Sequence, residues 1–253
     1  MLLNTLLPHI SILIFGIATM VIYGILTIVD GPRSVNIRLK ESTSSIIPRW
    51  LMNWTYWVLE IPKDFLVRHK VSPNTLTIGG FLLSFGAALC FMNGYFATAG
   101  WLIIASGAFD IFDGWVAREN NQISRSGGFL DSNLDRYGEI AIFMGLMFYY
   151  RDYWWIMMFC GLGIGSSMMV SYARARGEAM GIVYKKGFMQ RYERMFYLAA
   201  LATFSPFVQI LVAPYQSPPF YYPAVLAIIL ISSLSFIGSI QRVWAIYHLI
   251  DNP

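Results

Sequence analysis

Residues 109–136 read FDIFDGWVARENNQISRSGGFLDSNLDR. Asp110, Asp113, Asp131 and Asp135 stand here between long apolar runs, in a chain that is 57% hydrophobic and only 13% charged. Soluble domains carry roughly 25% charged residues, and a mean hydropathy of +0.54 does not fit that class. The apolar runs are about 18–25 residues long, enough to cross a hydrocarbon layer roughly 30 Å thick. The fold expected is all-α, a polytopic membrane bundle with crossings over 9–29, 75–93, 97–117, 129–150, 153–173, 194–213 and 223–247.

Charge placement orients that bundle. Of the 18 Lys and Arg residues, all but Arg151 fall in 31–70, in 118–136, in 174–194 or at Arg242 near the end of the last span. Basic residues stay on the cytoplasmic side, so the N-terminus is expected outside and the basic segments inside. The first span has no basic stretch before it and no small-residue cleavage site after it, and is expected to remain as an extra transmembrane helix. Residues 31–45 read as a polar connector. Over 46–70, Trp50, Trp54, Trp57, Val58, Ile61 and Phe65 recur at helical spacing opposite Asn53, Glu60, Lys63, Asp64 and Arg68. That is the pattern of a helix lying in the headgroup plane, with Pro62 expected to kink or divide it. The division expected is 1–45, extra helix and connector, and 46–253, with the amphipathic helix 46–70 and six core transmembrane helices over 75–247. Residues 214–222, rich in Pro and Tyr, are expected to be an ordered connection.

Four carboxylates inside a bundle need an explanation. Asp110 and Asp113 are spaced i, i+3 near the end of one span, and Asp131 and Asp135 i, i+4 near the start of the next, so each pair shares a helix face. A short turn between the spans predicts antiparallel neighbours with all four carboxylates converging near the cytoplasmic interface. On insertion scales a carboxylate near a helix centre costs ~2.5–3.5 kcal/mol, on the order of 10 kcal/mol for four. Cations offset that cost. With no His or Cys nearby, the oxygen-only ligands suit Mg²⁺ or Mn²⁺, and four are enough for two ions. Gly114, Ala117 and Gly127 permit close approach of a ligand or a helix, and Arg118 is placed to meet a phosphate at the rim. A cation or proton transporter would also bury carboxylates. Its site belongs near the midplane of an inverted repeat, and neither feature is seen.

The full pattern, D-x-x-D-G-x-x-A-R-x8-G-x-x-x-D-x-x-x-D, is filled by Asp110, Asp113, Gly114, Ala117, Arg118, Gly127, Asp131 and Asp135. It resembles the signature of the CDP-alcohol phosphotransferases, and the resemblance runs from about residue 46 to 247. It implies transfer of a phosphatidyl group from CDP-diacylglycerol, or of a phosphoalcohol from its CDP ester, to an acceptor hydroxyl, with release of CMP. It further implies that the four aspartates bind two divalent ions and that Asp135 is also the general base. Gly114, Arg118 and Ser124 match positions that hold the CDP moiety, and Asn74, Thr75 and Thr77 match a nucleotide-contacting segment. A homodimer in the cytoplasmic membrane, its active site facing the cytoplasm, is implied too, with no nucleic acid among the partners.

The stretch 171–195, SYARARGEAMGIVYKKGFMQRYERM, bears on the acceptor. Arg191 and Arg194 share a helix face and their forks suit a phosphate; of Arg174 and Arg176, the inward one is expected to be Arg176. The arrangement S-Y-x-[KR]-A-R-x-E followed by R-x-E-R resembles the phosphatidylinositol phosphate synthase branch, whose acceptor is inositol 1-phosphate. Gly177 and Tyr192 depart from that branch's usual Ala and Pro. Glycerol 3-phosphate would suit the same arginines, while a neutral alcohol such as inositol would leave them without a partner.

Overall fold

The computed structural model of the chain describes residues 2–30, 48–184 and 189–251. Among these there are eight α-helices and no strand: α1 (Leu2–Asp30), α2 (Arg49–Arg68), α3 (Pro73–Met92), α4 (Phe96–Glu119), α5 (Arg125–Tyr149), α6 (Trp154–Ala179), α7 (Arg191–Val212) and α8 (Tyr222–Asp251). Six of them, α1, α3, α4, α6, α7 and α8, are long and apolar enough to cross a membrane, and the chain is an integral membrane protein. The remaining long helix, α5, is 25 residues. Its length matches its neighbours, but Asp131, Asp135, Arg136 and Glu139 lower the hydropathy of its first half. Helices overrun the expected spans mostly at the polar ends: α6 continues to Ala179 and α5 starts at Arg125. Hydropathy marks only the part of a helix that lies in hydrocarbon, whereas Arg, Glu and Ala extend it happily into water.

By contacts the chain falls into two units, Met1–Lys70 and Val71–Pro253. The boundary follows the amphipathic helix rather than preceding it. Within the first unit Tyr23 of α1 is buried between Trp50 and Trp57 of α2, with ring centroids 6.3 and 5.6 Å away. α2 runs unbroken through Pro62. None of its residues is buried, so the carbonyl that the missing N–H leaves bare can be satisfied by surroundings outside the protein. The expected connector 31–45 lies outside the described residues.

In the second unit six helices close a ring in the order α3, α4, α7, α8, α6, α5, with α5 returning to α3. Small residues set the spacing of that ring. A Cβ on Gly145 of α5 would stand 2.4 Å from the Ala88 carbonyl oxygen of α3, and one on Gly100 of α4 2.7 Å from the Ala199 carbonyl oxygen of α7. Close backbone approach of this kind is how helices associate where lipid removes the hydrophobic drive between them. One end of the ring is knitted by aromatic side chains. Phe96 stacks against Phe91, Tyr149, Tyr150 and Tyr221. The hydroxyls of Tyr149, Tyr150 and Tyr221 donate to the carbonyls of Pro219, Phe220 and Gly94, and Gln209 Oε1 accepts from the Tyr221 N–H at 3.0 Å. The connection before α8 is thus ordered, as its composition suggests.

Overpacking costs about 1–3 kcal/mol, and each kcal/mol shifts the melting point of a chain this size by roughly 2–4 °C. Gly145→Val is therefore expected to lower Tm in detergent by roughly 5 °C. Gly161→Val, whose new side chain meets open space, is the control and leaves Tm in place.

Candidate active site

The turn between α4 and α5 is built from satisfied helix ends. Asn121 adopts φ +55°, a left-handed conformation that asparagine tolerates. The Gln122 N–H donates to the Ala117 carbonyl at 2.8 Å and the Asn121 N–H to Arg118 at 3.3 Å, the paired bonds of a Schellman motif. Ser124 then caps α5, its Oγ accepting from the Gly127 N–H at 3.0 Å. The chain therefore reverses directly after Arg118. Asp113 stands six residues before the end of α4 and Asp131 six after the start of α5, each about 9 Å along its helix from the turn at a rise of about 1.5 Å per residue. Asp110 and Asp135 lie one turn deeper, at about 14–15 Å. The reversal sets four carboxylates at two matching levels.

α4 and α5 are not the packed neighbours that the short turn predicts. α3 lies against both, and they flank it in the ring. Two acid-lined faces repel each other and need room for a ligand, while α3 offers Gly79, Gly80, Ser84, Ala87 and Ala88 as a surface on which both can sit closely. Ser84 Oγ lies 2.8 Å from Ser106 Oγ, which donates to the Gly80 carbonyl at 2.9 Å; on the other side Gly138 of α5 rests on Ser84. The result is a cleft floored by Thr77, Gly80 and Ser84 and walled by Asp110, Asp113, Asp131 and Asp135, with Arg191 entering from the start of α7.

Within the cleft, carboxylate oxygens of Asp110, Asp113 and Asp131 lie within 4.8 Å of one another. Asp113 is buried, and its Oδ2 accepts from the Thr77 hydroxyl at 2.8 Å. Asp135 is engaged differently: its Oδ2 is 2.5 Å from Arg191 Nη1, which also reaches Asp110 Oδ1 at 3.8 Å. Three oxygen donors this close, with no nitrogen or sulfur ligand among them, fit a hard divalent cation.

The other expected residues divide into groups. Asn74 and Thr75 are exposed at the start of α3, and Gly114, Ala117 and Arg118 are partly buried in the last turns of α4. Asn74 Oδ1 comes within 3.3 Å of where a Cβ on Gly127 would stand, so the starts of α3 and α5 approach closely at this glycine. The hydroxyls of Ser124 and Thr77 serve the α5 cap and Asp113, roles that residue type alone does not reveal. On the basic side Arg191 reaches the cleft; Arg176, expected to point inward, is instead exposed, as is Arg174, while Lys185 and Lys186 lie outside the described residues. Arg194 is not available to a phosphate. It is 1% exposed, its Nε and Nη2 donate to the two carboxylate oxygens of Glu139 at 2.7 and 2.8 Å, and its Nη1 donates to the Met189 carbonyl at 2.7 Å. Shared helix face made Arg194 resemble Arg191; the difference is a buried acid one turn beyond Asp135. One basic residue counted in the sequence only as an end-of-span charge proves to be buried, Arg242 of α8. Its Nε has no hydrogen-bond partner, and its charged neighbours include Arg174, Arg194 and Glu178. An arginine inside the last turns of an otherwise apolar helix was the available signal.

Known proteins resemble this chain in sequence and fold. The family profile described as CDP-alcohol phosphatidyltransferase matches residues 70–238. The archaetidylinositol phosphate synthase of Methanothermobacter thermautotrophicus is 33% identical over 180 residues, 69% of this chain and 83% of that protein. The phosphatidylinositol phosphate synthase of Cutibacterium acnes is 34% identical over 140 residues, 52% of this chain and 66% of that protein. Among solved structures, phosphatidylinositol phosphate synthase of Mycobacterium tuberculosis with CDP-DAG bound aligns with a TM-score of 0.64 at 25% identity, covering 75% of this chain and 94% of that one. The same enzyme in complex with manganese and citrate gives a TM-score of 0.65 at 25% identity, over 75% and 88% of the two chains. With its aspartates gathered in one cleft, this ring of helices belongs to the CDP-alcohol phosphatidyltransferase family.

Proposed function

We propose that the protein transfers a phosphatidyl group from CDP-diacylglycerol to a hydroxyl of inositol 1-phosphate, releasing CMP. One observation carries the reading: in a chain of this family, Asp110, Asp113, Asp131 and Asp135 line a single cleft together with Arg191. The relatives' names agree on inositol phosphate and differ in the lipid.

Asp110, Asp113 and Asp131, with Asp135 alongside, would hold one or two Mg²⁺ or Mn²⁺ ions, which when bound neutralise charge on the pyrophosphate. The chain's own residues do the rest. Thr77 fixes the rotamer of Asp113 through its hydrogen bond. Asn74, Thr75, Gly114, Ala117, Arg118 and Gly127 surround the approach that the nucleotide takes, Ser124 holding the start of α5 beneath it. Asp135 accepts the acceptor's hydroxyl proton as that oxygen bonds to the lipid-bearing phosphorus and the bond from phosphorus to the CMP oxygen breaks. Arg191 links acceptor binding to that step. Its guanidinium is held by Asp135 at 2.5 Å, and an incoming phosphate monoester, with more charge and more acceptor oxygens, is the stronger partner. Once the phosphate takes Arg191, the Asp135 oxygen is free to receive a proton. The distribution of basic residues supports an orientation with this end in the cytoplasm, in the cell membrane, and family resemblance supports a homodimer. The amphipathic helix 46–70 would work with the transferase domain.

Purified protein with CDP-diacylglycerol, Mg²⁺ and a panel of inositol 1-phosphate, glycerol 3-phosphate, free inositol and serine tests the acceptor. CMP release is expected to be fastest with inositol 1-phosphate; preference for glycerol 3-phosphate reassigns the acceptor, and full activity after exhaustive chelation overturns the metal. Asp135→Asn is expected to slow CMP release by about 10²–10⁴-fold, with CMP and Mn²⁺ binding retained; normal turnover would remove it as the base. Partners that orient metal ligands are worth about 10–100-fold in affinity, so Thr77→Val should raise the Mn²⁺ concentration for half-activation by that order.

A further inference from the structure

We propose that Glu139 and Arg194 form a positioning pair that sets Arg191 against Asp135 and so governs binding of the phosphorylated acceptor without touching it. The inference rests on the acceptor reading above. Glu139 lies one helical turn beyond Asp135 on α5, and Arg194 one turn beyond Arg191 on α7. Two ion pairs of the same polarity thus bridge the same two helices at successive turns. They differ in exposure. Arg191 and Asp135 have side chains 28% and 22% exposed, open to the cleft, whereas those of Arg194 and Glu139 are each 2% exposed.

The buried pair does a job that backbone packing does not. α7 packs chiefly on α4 and α8, and α5 on α3 and α6, so the register of α7 against α5 is set through side chains. Both oxygens of Glu139 meet the Arg194 fork, which fixes angle as well as distance. The third bond of Arg194, to the Met189 carbonyl, holds the residue two before Arg191. Met189 is buried and adopts φ +54°, a conformation an unbranched side chain adopts only when its surroundings hold it there. Between them, Gln190 and Glu193 close a capping box, the Gln190 N–H donating to Glu193 Oε2 at 2.9 Å. Arg191 is therefore anchored on both sides of its own backbone, and the anchor is tied to the helix that carries Asp135. The pair is neutral and closed to solvent, so it adds geometry to the acceptor site and no attraction of its own.

The test uses the full-length protein in detergent with Mg²⁺, CDP-diacylglycerol and inositol 1-phosphate. Glu139→Gln and Arg194→Lys each remove part of the two-point contact. A misplacement on the order of 1 Å can cost about 100-fold, so the acceptor KM is expected to rise about 10- to 100-fold, with the CDP-diacylglycerol KM and CMP affinity within about twofold. Glu139→Asp, charged but too short for both bonds, should recover part of the loss. The apolar double variant Glu139→Leu/Arg194→Met is the safeguard against misfolding, since similar-sized apolar replacements of a buried pair are often neutral for stability. It is expected to fold and still show the raised acceptor KM. A purely structural pair would lower Tm and leave the two KM values in their original ratio. A wild-type acceptor KM in any folded variant, or equal rises for both substrates, overturns the proposal. Should the wild type prefer another acceptor, the acceptor reading fails by itself, and the same split measured with that acceptor decides the pair.

Discussion

Mutual repulsion among Asp110, Asp113 and Asp131 is the constraint around which the rest of this ring is arranged. Carboxylate oxygens within 4.8 Å of one another would, if all were ionised, repel by about 3–4 kcal/mol per pair at an effective dielectric near 20. Three such pairs rival the whole stability of a typical domain, about 5–15 kcal/mol, so the cluster calls for a bound cation or a shared proton to offset it. The fold accommodates this by keeping α4 and α5 apart. α3 stands between them as a spine of small and hydroxyl-bearing residues: Gly80 and Ser84 let both helices approach, and Thr77 steers Asp113 with a hydrogen bond. Had α4 and α5 packed along each other, as their five-residue connection would permit, the carboxylates would have met with no space for a ligand.

Positive charge enters the site from the other side of the ring. Arg191 comes from the first turn of α7, while the acids come from α4 and α5. A transferase that joins two anionic substrates has to hold both without letting either take the other's place. Separate sources of positive charge answer that need on the proposed reading, a metal bound by carboxylates for the pyrophosphate and Arg191 for the acceptor phosphate. Asp135 stands where the two meet. It is the acid that Arg191 contacts at 2.5 Å and lies outside the tight group of three.

Much of this was legible in the residues, and the limits have physical causes. Long apolar runs are a direct consequence of hydrocarbon thickness, so six of the eight described helices follow from them, α5 from the apolar run of its second half, and the helix 46–70 from its tryptophan-rich face. The four aspartates of the motif line one cleft, since i, i+3 and i, i+4 spacing survives any packing arrangement. What did not follow was helix adjacency. A short connection suggests neighbours, but the interposed α3 is chosen by small-residue complementarity among segments far apart in sequence, such as Ala88 with Gly145. The same blindness covers Arg194. Its spacing from Arg191 was read correctly, yet whether an arginine faces a cleft or a buried acid depends on Glu139, 55 positions away. Arg242 was likewise visible as a charge and invisible as a buried one.

The two ends of the ring divide the work. Beyond the site, at the Phe96 end, side chains tie the backbone together: three tyrosine hydroxyls reach backbone carbonyls, and Gln209 and Ser205 take the backbone N–H groups of Tyr221 and Ala224. That end holds the helices in register. Close Gly and Ser contacts at Gly145 and Gly138 carry the register toward the acids, and the Glu139–Arg194 pair completes it between the two helices that have no shared packing seam. Nearer the cleft, Asp135, Arg191 and the starts of α3 and α5 are more exposed and, on the proposed reading, exchange partners with incoming phosphates. A rigid end that fixes distances and a polar end that trades ion pairs for substrates are what a site needs when its charges must be close together before any ligand arrives.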